Sequence, residues 1–190
     1  DDSILSDGFD DSEDFDETTE ENDLEKALHM LETFIMTCTN QALVFQAYEL
    51  ICVVAVKLND HDLLCTNSLL AITSVVGVDL AQKRNLFFNV LGSMRSTHAE
   101  RYNIKLLSLV YKWLVDEIVN IVSRREMNTD NAMSLHQLMD FLTSILQPLS
   151  YSCVKHNRSS DLTSIIKFAQ KMRMPSHFPY MCFLVLQPPT

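Results

Sequence analysis

Residues 104–122 read IKLLSLVYKWLVDEIVNIV, and their pattern decides the fold class. Thirteen of these nineteen residues are apolar or aromatic, and none is Gly or Pro. On a helix, steps of three and four residues collect the polar side chains into one narrow stripe: Lys105, Ser108, Lys112, Asp116, Glu117 and Asn120. A helix with so narrow a polar stripe needs cover on several sides. The stretch therefore predicts a central helix of an all-α domain, and its four charged residues argue against a bilayer span.

Helical periodicity recurs on both sides of this stretch. It predicts helices over about residues 23–39, 41–58, 61–76, 79–94, 98–125 and 132–147, the third capped by Asp60 and the fourth starting at Asp79. The second, ALVFQAYELICVVAVKL, is so apolar that we expect another inner helix. In the fourth, residues 82–85 should face solvent. Pro148 should stop the sixth helix, and further short elements are expected near 149–155 and 160–172.

The links between these helices are short, so consecutive helices should pack as antiparallel hairpins. Residues 23–60 and 61–96 form two successive units of similar length, and in this they resemble the helical hairpins of HEAT and armadillo repeats. The resemblance covers most of residues 23–147 and rests on periodicity and unit length. It implies a short α-solenoid that serves as a scaffold; the alternative is a compact irregular bundle.

Composition and motifs favour an intracellular, non-enzymatic protein. The number of cysteines is odd, and most of them sit in apolar helical contexts, which is typical of a reducing compartment, nucleus or cytoplasm. No Gly-rich phosphate loop, GxSxG or HExxH motif is present. The pairs His61 with Cys65 and Cys153 with His156 each lack a second pair of metal ligands. We therefore expect no catalytic residues, no metal and no cofactor. We also expect the chain to be part of a longer protein.

Charge divides the chain into two parts. The net charge is −10, yet residues 1–23 alone contain twelve Asp or Glu, so that residues 24–190 carry about +2. The sequence predicts a disordered acidic segment over 1–22, followed by an all-α domain over 23–190. The segment is either a linker or a ligand for a basic partner, such as histones. Part of it resembles the DDGFxD degron read by the WD-repeat F-box receptor of a ubiquitin ligase; the residues of this acidic motif are Ser6, Asp7, Gly8, Phe9 and Asp11, with Phe15 as a further apolar anchor.

Two further stretches are candidate binding sites. One is a basic strip near the end of the chain, formed by Lys155, Arg158, Lys167, Lys171 and Arg173. It would suit an acidic partner segment, or it is simply a solvated face. Binding of nucleic acid is disfavoured because no aromatic residues are interleaved with the basic ones. The other is the terminal apolar run, which contains Phe178, Tyr180, Met181, Phe183, Leu184 and Leu186. This run should pack against a protein partner or a second copy of the chain. The sequence thus predicts a scaffold that assembles a multi-subunit complex, without a membrane; the alternative is a regulated acidic ligand or degron.

Overall fold

The computed structural model describes residues 17–94, 99–123 and 129–158, together with positions 160, 163, 164 and 167. All regular structure in these residues is helical, and the predicted all-α class is confirmed for them. Six helices follow one another: α1 (Glu17–Thr37), α2 (Gln41–Lys57), α3 (His61–Ser74), α4 (Leu80–Ser93), α5 (Glu100–Ser123) and α6 (Thr129–Lys155). Residues 160, 163, 164 and 167 are helical as well.

Short polar side chains set where three of the helices begin. The carboxylate of Asp60 accepts a hydrogen bond from the backbone N–H of Leu63 at 2.9 Å, and Asp79 accepts one from Ala81 at 3.0 Å. Asn40 does the same for the first turn of α2. Each bond satisfies one of the N–H groups that a helix leaves unpaired at its start. The predicted starts of α3 and α4 are confirmed.

Two helices end in the same way. Asn59 after α2 and Asn157 after α6 both have a φ of 54°, the left-handed conformation that Asn tolerates better than most residues. Behind Asn59, the N–H of Asp60 donates to the carbonyl of Ala55 at 2.9 Å, which is the bond of a Schellman motif. The chain therefore reverses within a few residues, as hairpins of helices require.

Two predicted boundaries are wrong. Helix α1 begins at Glu17, before the predicted start at residue 23, and Asp23 pairs with Lys26 at 3.1 Å inside the helix. Helix α6 continues through Pro148 to Lys155. Leu149 and Cys153, which follow the proline, are each only 2% exposed. Their burial offsets the backbone hydrogen bond that proline cannot donate.

The helices pack mainly against near neighbours in the sequence. Helix α3 contacts α2, α4 and α5; α6 contacts α5 and α4; and α1 contacts α2. The rings of Phe87 and Phe141, 5.6 Å apart, join α4 to α6 in the core. The starts of α3 and α5 lie together, because Lys105 pairs with Asp62 at 3.7 Å. Farther along both helices, Lys83 donates to the carbonyl of Ile72 in α3 and lies 5.1 Å from the ring of Trp113 in α5, so these two helices run in the same direction.

Residues 104–122 form the predicted helix and are covered by α3 and α6, but part of the helix circumference is left exposed. Helix α5 buries one stripe against its main neighbours α3 and α6: Leu106, Leu107, Val110, Leu114 and Ile118. Outside this stripe, Leu109, Val119 and Val122 are partly exposed. Helix α2 likewise leaves one side uncovered by the described residues, and this side forms part of the candidate site.

Candidate functional site

An open groove of about 350 Å³ lies between α2 and α4. Its floor is Leu64 of α3, which is 2% exposed, and α2 supplies one wall with Cys52, Val53 and Val56. Leu86 and Val90 of α4 form the opposite wall. These side chains share one face because they recur at helical spacing on each helix. The groove is therefore an apolar depression that can take up one or two apolar side chains.

The apolar surface extends beyond the groove along α2. Four large apolar side chains of this helix are exposed by about half: Leu43 43%, Leu50 54%, Val53 56% and Val56 46%. They lie near one another on one side of the helix, because their successive spacings are seven, three and three residues. A contiguous apolar surface of this kind is typical of a protein-binding face.

Polar residues edge the groove at both of its ends. Glu49 is half-buried, and removal from water raises the pKa of its carboxyl group. Among the residues described, no cationic group forms an ion pair with Glu49. At the other end, Lys57 already lies 4.0 Å from the carboxylate of Glu20 in α1. Asn89 and Ser93 complete the edge on α4.

Lys57 also connects the groove to a second cavity of about 380 Å³ beside α1. This cavity is lined by Glu20, Glu21 and Leu24 of α1 and by Leu58. The surface that begins at Glu49 thus passes along α2 to the acidic first turns of α1.

The thiol of Cys52 in the wall of the groove is a poor nucleophile. Its side chain is 4% exposed, and burial, aided by the charge of Glu49, raises the pKa of its thiol to about 12. A thiol reacts as a nucleophile through its thiolate form, which is scarce here near neutral pH. In the part of the chain that the structure describes, no group of three His, Cys, Asp or Glu side chains is placed to hold a metal ion.

Lys83 occupies a position that the sequence pattern assigned to solvent. It is only 6% exposed, and its ammonium donates hydrogen bonds to the carbonyl of Ile72 at 2.7 Å and to that of Val75 at 2.6 Å. It also lies 5.1 Å from the centre of the Trp113 ring. The expectation that residues 82–85 all face outward is therefore wrong at Lys83, which links α3, α4 and α5.

The residues of the predicted basic strip are only partly described. Lys155 forms a short ion pair with Glu100 that joins the end of α6 to the start of α5, and His156 lies 3.6 Å from the same carboxylate. The hydrogen bond from Lys155 lowers the pKa of Glu100, and the same contact raises the pKa of Lys155. Arg158 is half-buried and Lys167 is exposed. Lys155 is thus engaged within the fold, and the strip as a binding site stays a prediction.

The other predicted sites lie outside the described residues: the acidic motif (Ser6, Asp7, Gly8, Phe9, Asp11 and Phe15), the terminal run (Phe178, Tyr180, Met181, Phe183, Leu184 and Leu186), and Lys171 and Arg173. The sequence does not predict the groove. Its signal in the sequence is the almost uniform apolarity of α2, which predicts a helix covered by this chain.

None of the helices in the described residues combines the length and apolarity needed to cross a bilayer. Comparison of the chain with models of protein families, with curated proteins and with solved structures yielded no match.

Proposed function

We propose that this chain is a non-enzymatic protein-interaction domain that helps to assemble a multi-subunit complex inside the cell. The observation that carries the proposal is the apolar face of α2, where four half-exposed aliphatic side chains continue into the groove against α4. Burying such a face against another protein removes apolar surface from water, which is favourable by about 25 cal/mol of free energy per Å² buried. The face is therefore the binding surface.

The packing of the helices supports a short solenoid as the scaffold for this surface. The main contacts join helices that are adjacent or next but one in the chain. The parallel arrangement of α3 and α5 is that of equivalent helices in stacked hairpins. In such a stack, helices of one layer present a continuous face, to which α2 and α4 contribute here.

Site-specific photo-crosslinking in cells tests the proposal. A photoreactive residue is placed at Val53 on the α2 face, and, as a matched control, at Val119 of α5, which is exposed to a similar extent, 45%. We expect Val53 to crosslink reproducibly to one or a few proteins that the Val119 position does not capture. The same products from both positions, or none from Val53, would contradict the proposal.

A further inference from the structure

We propose that the partner of the α2–α4 groove presents an amphipathic helix with aliphatic anchors on one face and Lys or Arg beside them. This inference rests on the proposed function and specifies the chemistry of the partner. Three properties of the groove lead to it: its length, the absence of free backbone groups in its walls, and the sign of the charge around it.

The length of the groove matches two turns of helix. Its α2 wall runs from Glu49 to Lys57, which at 1.5 Å per residue is about 12 Å. A helix laid along it places side chains from successive turns in the groove, at the spacing i, i+3 or i+4, and i+7. The further exposed side chains of Leu43 and Leu50 lengthen this contact along α2.

The walls of the groove favour a helix over an extended peptide. An extended peptide gains affinity chiefly by pairing its backbone with the edge of a sheet. Here the floor and both walls are helices, whose backbone groups are already paired within each helix. An extended chain would find only the few polar side chains at the edge, those of Glu49, Asn89 and Ser93, for its own N–H and C=O groups, whereas a helix satisfies these groups internally.

The charges around the groove favour a basic partner. The half-buried carboxylate of Glu49 has no cationic partner among the described residues, while Lys57 is next to Glu20. Glu20 and Glu21 extend the negative edge along α1. Residues 1–16, which precede α1, contain eight further Asp or Glu. A Lys or Arg of the partner can pair with Glu49, and the remaining carboxylates attract a basic helix before contact is made.

Two synthetic peptides test the inference on the full chain. Both are helical, about 18 residues long, with the same leucine face; one has Lys at the flanking positions and the other Glu. By fluorescence anisotropy we expect the Leu–Lys peptide to bind at least about tenfold more tightly than the Leu–Glu peptide. Equal affinities, or binding of neither peptide, would overturn the inference.

Variants of the chain show whether the peptide uses the groove. Val53→Gln combined with Val56→Gln leaves every charge in place, so binding to the acidic segment alone would survive it. We expect this double variant to weaken Leu–Lys binding about tenfold or more, because two apolar contacts are lost. Glu49→Gln should weaken it several-fold and reduce its dependence on salt, whereas Glu25→Gln, an exposed control on α1, should not. Unchanged binding by the double variant or by Glu49→Gln would refute the proposal.

The outcomes also separate this inference from the proposed function. If Val53 crosslinks to a partner in cells while neither peptide binds, the partner class is wrong and the interaction function stands. If Val53 captures nothing, the interaction function itself fails.

Discussion

At the scale of single residues, Lys83 supplies hydrogen bonds that the end of α3 lacks. The last carbonyl groups of a helix have no partner within it, and Lys83 donates to two such carbonyls, those of Ile72 and Val75. Its positive charge also suits the negative end of the helix dipole. Burial lowers the pKa of Lys83, and the carboxylate of Glu117 partly opposes this effect.

Replacing this ammonium should destabilise the fold. Lys83→Met keeps the length and apolar stem of the side chain but leaves two carbonyl groups without their donor. We expect a loss of about 1–3 kcal/mol in the free energy of unfolding, measured by urea denaturation. Gln82→Met, at an exposed neighbouring position of α4, is the matched control and should change stability by less than about 0.5 kcal/mol. Equal effects of the two substitutions would show that the hydrogen bonds contribute nothing.

Cys52 and Tyr111 predict a loss of stability in alkali. Burial raises the pKa of the Cys52 thiol from 9.0 to about 12 and that of the Tyr111 hydroxyl from 10.0 to about 12. Below about pH 8 both groups are almost wholly neutral in the folded and the unfolded chain. At higher pH the unfolded chain ionises first, so the free energy of unfolding falls as pH rises toward about 12, by up to about 1.4 kcal/mol per pH unit for each group.

The contribution of Cys52 can be isolated by substitution. Cys52→Ala should make the decline between pH 9 and 12 less steep, whatever its effect on stability at pH 7. Cys38→Ala, at a partly exposed position, controls for the loss of a thiol as such. An unchanged slope in Cys52→Ala, followed by urea denaturation at several pH values, would argue against this assignment.

At the scale of helices, α6 keeps a proline in its interior at a cost. Pro148 has no N–H to donate to the carbonyl of Ser144, and a proline inside a helix costs about 3 kcal/mol relative to alanine. Pro148→Ala should therefore raise the free energy of unfolding. We expect a gain of about 1–2 kcal/mol rather than the full 3, because the proline also restricts the unfolded chain and its removal gives up that benefit. Thermal and urea denaturation measure the change.

The neighbouring exposed residue provides the control for this prediction. Gln147→Ala adds no backbone donor and should change stability by less than about 0.5 kcal/mol. If Pro148→Ala is neutral or destabilising, the helix must accommodate the proline without losing a useful hydrogen bond.

The sequence predicted most helix boundaries because their causes are local. Asp60 and Asp79 act within three residues of their own positions, so their roles are visible in a short window of sequence. Pro148 and Lys83 depend on distant contacts: the buried residues after Pro148 hold α6 together, and the carbonyls that bind Lys83 belong to another helix. Helical periodicity assigns a lysine to solvent by default and has no means to detect such an acceptor.

The sequence does not reveal the groove, for a related reason. The apolarity of α2 correctly indicated that the helix needs cover. It did not indicate whether the cover comes from this chain or from another molecule. Val53 and Val56 look the same in sequence as the buried Val44 and Val54, and only the arrangement of α3 and α4 distinguishes them.

At the scale of the whole molecule, α1 is the least secured helix of those described. It packs chiefly on α2, and none of its described side chains is fully buried. Few buried contacts mean a low free energy of local opening. We expect the backbone amides of α1 to exchange with solvent deuterium at least about tenfold faster than those of the interior of α3, which packs against three helices.

Hydrogen–deuterium exchange followed by mass spectrometry of peptides from α1 and α3 measures the two rates, with the rapidly exchanging amides of the loops as an internal reference. Equal protection of both helices would mean that α1 opens only when the whole domain unfolds. It would also imply that α1 is held by contacts beyond those with α2.

The restriction of the main contacts to near neighbours has a mechanical consequence. When a chain of this kind is pulled from its two ends, the tension passes through the helix pairs in series, because among the described residues the main contacts do not join α1 to α6. Each hairpin can then detach without waiting for the others, with α1 giving way first. Under force the domain should therefore unfold in several separate steps, one for each hairpin, rather than in a single cooperative event.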